Sequence, residues 1–565
     1  MKFSEYPLNI PDKDKIIKKI NAITESFKNA ESVEEANKAM KKMNRLMVNL
    51  STDVTTISVR FSLNTTDEVY SKANEHIDNI LPFIQMHYNE YEKALVSSPF
   101  RSELEEKYGS YLFTMIETSL KCFNPLIIEE LQKEAMLTTE YNKLLSSAKI
   151  EFNGEIYNLP QMGKFVTSKD RETRKEAYTK VTAFYADNDA KLGQIYDELV
   201  KVRTSMAKKL GFENYVELGY LRLGRIDYTY EDVRKYREQI YEEVVPLVKK
   251  LYKQSTKRAG ISRPMAYDFN QSFKDGNPLP KGDKDELVKS ASKMYSEMSK
   301  ETDEFFNFMI ENELMDLEAR PGKNGGGYMT YFPKYKAPFI FANFNGTQGD
   351  VDVLTHEVGH AFQGYLSRNI KIMEYQQPTL EACEIHSMSM EFFAWPWMDL
   401  FFDEPDKYRL SHLEGAIKFL PYGVAVDEFQ ENVYLHPEMT HEERKAKWRE
   451  IEKKYLPHLN YKGFPFLEEG GFWTRQGHIF TTAFYYIDYT LAQVCAFQFA
   501  VERYKNHERA WNKYVRFCKL GGKYPFVTLL EKGKLRNPFE EGNVKKVIRP
   551  LKRILKELDE KIGLE

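Results

Sequence analysis

Apolar residues recur at every third or fourth position along most of the chain, and this spacing places them on one face of an α-helix. Lysine and glutamate fill many of the positions between them, and glycine and proline are scarce inside these stretches. The chain is therefore predicted to be mainly helical, with a helix boundary at Asn124-Pro125. The pattern before the middle of the chain covers 15–50, 67–96, 168–215, 229–260 and 284 to about 317.

The first break in the helical pattern is a short stretch at 149–159. Two runs of alternating apolar and polar residues flank Asn153-Gly154 there. Asn-Gly favours the tight turn of a β-hairpin, because both residues accept the positive φ angles that such a turn requires. A hairpin is predicted near 150–159.

The second break lies in the middle of the chain, where glycine is frequent and aromatic residues cluster. Tyr328–Tyr331 and Ala337–Asn345 are predicted strands, and a glycine-rich loop, Gly322–Gly327, precedes them. Gly346–Asp350 then supplies turn and N-cap residues for a predicted helix at Val351–Leu366.

Helical patterns dominate again from Thr379 to the C-terminus. The weakly charged stretch 479–501 resembles a membrane span in length, but it contains Asp488 and Gln493, which are costly in lipid. We therefore predict a buried helix there and no membrane partner. The predicted breaks in this part of the chain are Pro421, 457–465, Gly470-Gly471 and 519–525.

The charges of the chain nearly cancel, because 81 Lys and Arg residues face 84 Asp and Glu residues and leave a net charge of −3. No net positive field exists to hold a polyanion, so a nucleic-acid partner is not expected. The four cysteines are scattered without CxxC spacing, which predicts neither a disulfide framework nor a thiolate metal cage. The first residues lack an apolar signal segment, and the expected location is the cytoplasm.

His356-Glu357-Val358-Gly359-His360 is the segment that most directly indicates chemistry. On a helix, residues four apart share a face, so both imidazoles can reach one metal ion while Glu357 lies beside the open position of that ion. Two nitrogens and a carboxylate suit zinc, which keeps a fourth position for water. A zinc site is therefore predicted on this helix.

The third protein ligand decides the class of zinc site. A third histidine six residues after His360 is excluded, because that position is Leu366. A downstream carboxylate is then required, and the next predicted helix offers Glu381, Glu384 and Glu391 on one face. Spacing alone does not choose between Glu381 and Glu384.

These two segments resemble the thimet oligopeptidase and oligoendopeptidase F family of zinc metallopeptidases, and bacterial Pz-peptidase-type oligoendopeptidases most of all. In that family the first glutamate of a Glu-x-x-Ser-x-x-x-Glu stretch after the HExxH segment is the third zinc ligand, and Glu384 to Glu391 matches that stretch in register. The resemblance implies that Glu384 binds the metal. It also implies that Glu391 hydrogen-bonds to a ligand histidine and so orients it, and Glu381 is a second candidate for this role. His386 has no counterpart role in the family and is expected to be a local packing or solvent residue.

A second match to the family begins at His478 and continues through a tyrosine-rich helix. The family carries a histidine and a Tyr-x-x-Tyr pair that face the zinc across the cleft, and Tyr486 and Tyr489 take the places of that pair. One residue fewer follows His478 than in mammalian members, which leaves Tyr485 as a rival of Tyr486. Water attack on a peptide carbonyl creates an oxyanion, to which a phenol OH or an imidazole NH can donate.

The strand before the zinc helix has a predicted role in holding the substrate. An exposed strand edge can pair with the backbone of an extended peptide, and the resemblance implies such an edge at Ala337–Asn345. The loop Gly322–Gly327 is similar to the family's glycine-rich flap over the substrate. The predicted substrate-binding residues are Phe341, Ala342, Asn343, Gly326 and Gly327.

The resemblance implies a mainly α fold, a large helical clam-like enclosure with a deep central channel and a small β-sheet region beside the zinc helix. Such a channel admits unfolded oligopeptides and excludes folded proteins by size. We predict two domains, an N-terminal helical domain with the hairpin at 1–195 and a zinc metallopeptidase catalytic domain at 196–565.

The predicted function is a zinc endopeptidase with one Zn²⁺ per chain that cuts internal bonds of short unfolded oligopeptides. Glu357 is its predicted general base, which accepts a proton from water and returns it to the leaving amine. A zinc dipeptidyl carboxypeptidase or carboxypeptidase is the alternative within this class, and Arg475 could then grip the terminal carboxylate, although a surface position is commoner for arginine. A helical scaffold with a structural metal is the alternative outside it. Cleavage preference and oligomeric state stay open.

Overall fold

Helices make up most of this protein, as its computed structural model shows for residues 1–320 and 322–563. The helices of the first half are α1 (Lys13–Lys28), α2 (Val33–Leu63), α3 (Glu68–Val96), α4 (Arg101–Tyr108), α5 (Ser110–Cys122), α6 (Ile128–Ser146), α7 (Gly163–Val166), α8 (Arg171–Asp187), α9 (Asp189–Lys209), α10 (Tyr215–Arg222), α11 (Tyr230–Glu243) and α12 (Val245–Arg258). Those of the second half are α13 (Lys284–Met298), α14 (Lys300–Glu311), α15 (Gly349–Ser367), α16 (Leu380–Phe393), α17 (Pro405–Leu435), α18 (His441–Tyr455), α19 (Pro465–Glu468), α20 (Gly477–Thr481), α21 (Tyr486–Lys505), α22 (His507–Cys518), α23 (Phe526–Gly533) and α24 (Asn543–Lys561). The predicted mainly helical fold is confirmed.

Several helix starts follow from the capping residues in the sequence. The predicted stretch 15–50 is two helices, because Ser32 accepts a hydrogen bond from the Glu35 amide and begins α2. In the same way the carboxylate of Asp67 accepts from the amides of Val69 and Tyr70 and begins α3. Capping of the first amides thus sets where the N-terminal helices begin.

The hairpin predicted near 150–159 is present as β1 (Ile150–Phe152) and β2 (Glu155–Tyr157), which pair antiparallel. Asn153 and Gly154 occupy the turn with φ of 53° and 81°. Both angles lie in the left-handed region, as the tight hairpin turn requires.

A second sheet lies beside α15 and contains three strands, β3 (Met315–Glu318), β4 (Tyr328–Phe332) and β5 (Ala337–Phe344). Its order is β3-β5-β4, with β5 parallel to β3 and antiparallel to β4. The prediction that Ala337–Asn345 is an exposed edge is therefore wrong, because β5 is the central strand and β3 and β4 are the edge strands.

Two helix boundaries also differ from the prediction. The helix predicted from 284 to about 317 is α13 and α14, and it ends at Glu311 because Glu313 has a φ of 56° and turns the chain into β3. Conversely, α17 continues through Pro421, where a break was expected. The loss of one hydrogen bond at a proline, about 3 kcal/mol, is outweighed by the side chains that α17 buries on both sides of that position.

The buried side chains form two main clusters. The smaller cluster lies among α1 to α5 and includes Phe113 and Leu104. The larger cluster spans the rest of the chain and already includes Tyr141 and Tyr178 from the segment before residue 195. The division into domains at residue 195 stays a prediction.

The segment between α15 and α16, which we call the ligand-helix linker (368–379), reaches into the smaller cluster. Tyr375 is buried there, and its hydroxyl accepts from the Leu112 amide at 2.9 Å and donates to the Tyr108 carbonyl at 2.9 Å. Ile370 and Ile372 pack against the same cluster. The N-terminal helices therefore enclose the connection between the two helices that carry the predicted metal ligands.

In the part of the chain that the structure describes, no helix combines the length and the apolar character that a membrane span needs. The four cysteines all carry free thiols.

Candidate active site

The helix that carries the HExxH segment, α15, begins directly after β5. The Asp350 carboxylate accepts hydrogen bonds from the amides of Asn345 and Gly346 at 2.9 and 2.8 Å and fixes the turn between strand and helix. Since α15 also packs along β5, the strand sets the position of the motif helix.

His356, His360 and Glu384 come together between α15 and α16. One donor atom from each lies within 4.8 Å of the others. Glu384 Oε2 faces both imidazoles, at 3.1 Å from His356 Nε2 and 3.4 Å from His360 Nε2. Burial favours the neutral acid, but the two histidines outweigh it and hold the pKa of Glu384 well below its usual range. Two nitrogens and one carboxylate oxygen thus converge from two helices.

Gly359 explains how two helices approach closely enough to form this cluster. A Cβ atom placed on Gly359 would lie 2.6 Å from Ser387 Cα and 2.8 Å from the His386 carbonyl oxygen, both on α16. These are backbone atoms, so they cannot move aside as a side-chain tip would. Glycine in the HEVGH segment therefore permits the helix contact that brings Glu384 to the histidines.

A chain of buried polar groups continues behind His356. Its Nδ1 lies 2.7 Å from Glu391 Oε1, and the other oxygen of Glu391 lies 2.8 Å from His412 Nε2. The indole NH of Trp395 donates to His412 Nδ1 at 3.3 Å. Burial raises the pKa of Glu391, but hydrogen bonds from His356 and His412 outweigh it and lower the pKa. Glu391 lies where the sequence analysis expects it, whereas His412 and Trp395 were not predicted.

The other two residues singled out on α16 lie away from the imidazoles. Glu381 is buried, and its charged neighbours are Arg225 and Asp227. Among the described residues, neither of its carboxylate oxygens has a hydrogen-bond partner, so it does not support the histidines as expected. His386 packs between Tyr514 and Phe517, as a packing residue does, and burial lowers its pKa to about 3.

Glu357 lies next to the cluster and has a free carboxylate oxygen. The side chain is buried, and Oε2 has no hydrogen-bond partner among the described residues. Its Oε1 lies 3.7 Å from the point where a Cβ of Gly327 would be, so the glycine-rich loop passes directly over it. Burial raises the pKa of Glu357 above its usual value, although His360 and His356 oppose this shift. A carboxylate of this kind can accept a proton.

The tyrosines that follow His478 have three different surroundings. Tyr485 donates to Glu384 Oε1 at 2.6 Å, and Tyr489 OH lies 3.2 Å from His478 Nε2. Tyr486 packs with its ring 5.0 Å from that of His478. Tyr485 is thus occupied by the predicted metal ligand, and Tyr486 and Tyr489 stay beside His478.

Hydrogen bonds around His478 determine which ring nitrogen carries the proton. Tyr422 OH donates to Gln476 Oε1 at 2.8 Å, which orients the amide so that its NH₂ group faces His478 Nδ1 at 2.7 Å. Nδ1 then accepts, and Nε2 carries the proton on the side of Tyr489. Burial lowers the pKa of His478 to about 4, although Glu384 opposes this shift, so the ring is neutral at neutral pH.

The backbone between His478 and Tyr485 is fixed at both ends. Phe484 has a φ of 66°, and its amide donates to Gln430 at 3.0 Å while its carbonyl accepts from Arg225 at 2.6 Å. The side chain of Arg203 donates to the Phe480 carbonyl at 2.6 Å. A strained backbone conformation held by buried side chains is common where a loop must present functional groups.

The glycine-rich loop is fastened to β5 by two residues. The Lys323 ammonium, which is fully buried, donates to the Ala342 carbonyl and pairs with Asp316 at 2.7 Å. Asn343 donates through its side-chain amide to the carbonyls of Asn324 and Gly326, each at 2.8 Å. The carbonyl of Ala342 and the side-chain amide of Asn343 therefore bind the glycine-rich loop.

The predicted substrate-binding residues on β5 do not form a free edge. The side chains of Phe341 and Ala342 are fully buried, and Phe341 pairs with Tyr328 on β4. Gly327, also a predicted substrate-binding residue, lies next to Glu357.

The donor set of the cluster fits a zinc ion. Two imidazole nitrogens and a carboxylate oxygen are the ligands of a catalytic zinc site with an open position. The unpartnered oxygen of Glu357 beside them is suited to a water molecule in that position.

Comparison with known sequences places this geometry in a family. The profile described as "Peptidase family M3" matches residues 164–547, and that of the "Peptidase M3 N-terminal domain" matches residues 3–123. The chain belongs to peptidase family M3. The resemblance stated from the motifs is thereby confirmed, and the chain is a peptidase.

Several known proteins are similar to this chain over nearly its whole length. The structure of Pz peptidase A with an inhibitor is 51% identical, has a TM-score of 0.97, and covers 99% of this chain and 100% of that one. An oligoendopeptidase F homolog of Borreliella burgdorferi is 24% identical and covers 92% of this chain and 91% of that protein. The oligoendopeptidase F of Enterococcus faecium, 14% identical with a TM-score of 0.63 and covering 97% of this chain and 99% of that one, shares the fold. The M3 fold therefore extends over the whole chain.

Proposed function

We propose that this M3 peptidase is a zinc-dependent endopeptidase that hydrolyses internal bonds of short, unfolded oligopeptides. The observation that carries the proposal is the convergence of His356, His360 and Glu384 within 4.8 Å beside the unpartnered carboxylate of Glu357. The descriptions of Pz peptidase A and the oligoendopeptidase F homologs support peptides as the substrate class. One zinc ion per chain follows from the single donor set of this kind among the described residues.

The two histidines and Glu384 would hold the ion, which would polarise the substrate carbonyl and lower the pKa of a water molecule to about 7. Glu357 accepts the proton of the attacking water through its free oxygen. Burial, which raises its pKa, makes it a stronger base than an exposed glutamate. It then donates that proton to the leaving amine.

The groups around His478 stabilise the oxyanion that forms at the carbonyl. His478 Nε2 carries a proton at neutral pH, and Tyr486 and Tyr489 present phenol groups next to it. We call His478, Tyr486 and Tyr489 the catalytic wall. Since Gln476 and Phe484 fix the catalytic wall before the substrate arrives, little reorganisation is needed in the transition state. Tyr485 has a different role, which is to orient Glu384.

The free edge of β4 is the part of the sheet that can pair with an extended peptide. β4 begins at Tyr328, directly after Gly327, which lies over Glu357. A peptide strand added along this edge would bring a backbone carbonyl near the cluster.

We also place the activity in the cytoplasm, because free thiols on all four cysteines suit a reducing compartment.

Substitution of the proposed base tests the mechanism. In Glu357→Gln, we expect hydrolysis of a quenched fluorescent peptide to fall by about 10³-fold or more, while the zinc content measured by mass spectrometry stays at one per chain. Glu508→Gln on the exposed face of α22 is the matched control and should retain full activity. Retention of a tenth of the rate by Glu357→Gln would exclude this assignment.

Metal removal tests the cofactor separately. A chelator should abolish peptide hydrolysis, and added zinc should restore it, because without the ion no group lowers the pKa of the attacking water. Full activity in protein shown to be free of metal would contradict the proposal.

A further inference from the structure

Arg475 lies three positions before His478 in an aromatic enclosure. Its guanidinium carbon is 5.0 Å from the ring centre of Phe472, 5.6 Å from that of Tyr185 and 5.9 Å from that of Tyr178. The residue is partly buried, whereas a surface position was the commoner expectation from the sequence.

The charge of Arg475 is not matched by an acid. Among the described residues, no carboxylate lies within ion-pair distance of its guanidinium, although the nearby Arg449 pairs with Glu452 at 3.0 Å. Among the described residues, the half-buried Arg503, over the ring of Trp395, has no carboxylate partner either, but six other arginines in the larger core do. These pairs are Arg174–Asp268, Arg203–Glu134, Arg225–Asp488, Arg237–Asp427, Arg258–Glu414 and Arg444–Asp197.

Arg475 belongs to the same wall as the groups proposed to stabilise the oxyanion. Phe472, which covers the guanidinium, has its ring 6.0 Å from that of Tyr422. Tyr422 donates to Gln476, the neighbour of Arg475, and Gln476 in turn contacts His478. The ring of Tyr422 lies 5.7 Å from that of Tyr486. A continuous set of contacts therefore joins Arg475 to the catalytic wall.

Three aromatic rings are suited to hold a guanidinium without neutralising it. Rings attract the cation through their electron-rich faces and restrict its rotation. They leave its NH groups to bind a planar carboxylate with two parallel hydrogen bonds. The Arg475 guanidinium is partly shielded from water and has no carboxylate partner in the described part of the protein, so it can bind the carboxylate of a ligand.

We propose that Arg475 binds a carboxylate of the peptide substrate and so contributes to substrate selection. This inference rests on the proposed peptidase function and adds the class of group that the substrate must carry. The carboxylate can be the C-terminal group of the peptide or an acidic side chain.

Two pairs of peptides test the proposal and distinguish the two sources. One pair differs only in a C-terminal acid or amide, and the second differs only in Glu or Gln at positions that flank the cleavage site. With the wild-type enzyme, kcat/KM should be about tenfold or more higher for the acidic member of one pair. In Arg475→Gln this ratio should approach one through a rise in KM, and Arg475→Lys should restore it in part.

A control variant and a binding measurement keep the outcome decisive. Arg516→Gln, on the exposed face of α22, should preserve the wild-type ratio. Equal effects of Arg475→Gln on the acidic and neutral members of both pairs would overturn the proposal. If no peptide is hydrolysed at all, the proposed function fails instead, and the affinities of wild type and Arg475→Gln for the same four peptides, from fluorescence anisotropy, still decide the role of Arg475.

Discussion

The two oxygens of Glu384 have different partners. Oε2 faces the imidazoles of His356 and His360, while Oε1 accepts the hydrogen bond from Tyr485 at 2.6 Å. Through this arrangement Tyr485, which comes just before the catalytic wall residues Tyr486 and Tyr489, orients a proposed metal ligand on α16. Glu384 thus connects metal binding to the segment that carries the catalytic wall.

Removal of the Tyr485 hydroxyl should therefore weaken metal binding. We expect Tyr485→Phe to bind zinc about tenfold or more weakly, because loss of a group that orients a ligand has an effect of this size. Tyr486→Phe should instead lower kcat with little change in KM or zinc affinity, since the oxyanion exists only in the transition state. Competition with a chromogenic chelator and steady-state kinetics separate the two variants. Unchanged zinc affinity in Tyr485→Phe would contradict the orienting role.

The His412 contact behind His356 makes a second prediction at this scale. In His412→Gln, Glu391 loses its partner at 2.8 Å and no longer holds His356 in one orientation. We expect zinc to dissociate about ten to a hundred times faster, which a stopped-flow measurement with a chelator records. Trp395→Phe removes only the more remote contact of the chain and should have a smaller effect.

Spacing in the sequence can specify His356, His360 and the acidic helix, because these relations are local to one helix or its successor. It does not specify His412 or the role of Tyr485. These residues reach the site only through packing of α21 against α16 and of α17 against α21, which no short pattern encodes. The family resemblance, not spacing, separated Glu384 from Glu381.

At the scale of elements, the approach of α15 to α16 depends on one glycine. Gly359→Ala would place a methyl group against backbone atoms of α16 at 2.6 and 2.8 Å. We expect a loss of about 1–3 kcal/mol in stability and a zinc affinity at least about tenfold lower, because such sites tolerate displacements of only ~0.5 Å.

A matched control for this substitution lies on the same helix. At Gly364 the nearest atom to an added Cβ is 3.5 Å away, an ordinary contact. Gly364→Ala should therefore leave zinc affinity unchanged in the same titration. A normal metal site in Gly359→Ala would show that the close approach is not required.

The order of the strands in the sheet could not be predicted from the sequence, although β4 and β5 were predicted at their correct positions. The many aromatic residues of β4 and β5 mark strands in any sheet order. β3 was assigned to a helix because Leu314 and Leu317 continue the helical spacing of α14, and the turn at Glu313 has no glycine to mark it. The central position of β5 follows from the pairing with β3, and for that reason β5 has no free edge.

At the scale of the whole molecule, a buried carboxyl pair lies where the N-terminal helices meet the ligand-helix linker. Burial, with Glu374 on the linker as the second cause, raises the pKa of Glu92 on α3 to about 8. An unfolded glutamate has a pKa near 4.5. Between these two values the folded state keeps a proton that the unfolded state releases, so the contribution of Glu92 to stability falls as the pH rises.

Replacement of this acid by its neutral isostere should remove the pH dependence. We expect Glu92→Gln to be more stable than wild type by on the order of 2 kcal/mol at pH 8, and to differ little at pH 5. Thermal unfolding at both pH values measures the difference. Glu75→Gln, at an exposed position of the same helix, should show no such change, and an equal shift in both variants would refute the role of the buried pair.

The burial of Tyr375 among α1 to α5 has a consequence for how this enzyme can be dissected. The ligand-helix linker joins the proposed metal ligands of α15 and α16, and the hydroxyl of Tyr375 fixes this linker through hydrogen bonds to Leu112 and Tyr108. A recombinant fragment that starts at residue 164, where the M3 match begins, would contain every proposed zinc ligand but would lack the helices that bind Tyr375. Metal capture should therefore be a late event in biogenesis, completed only after both portions of the polypeptide have docked.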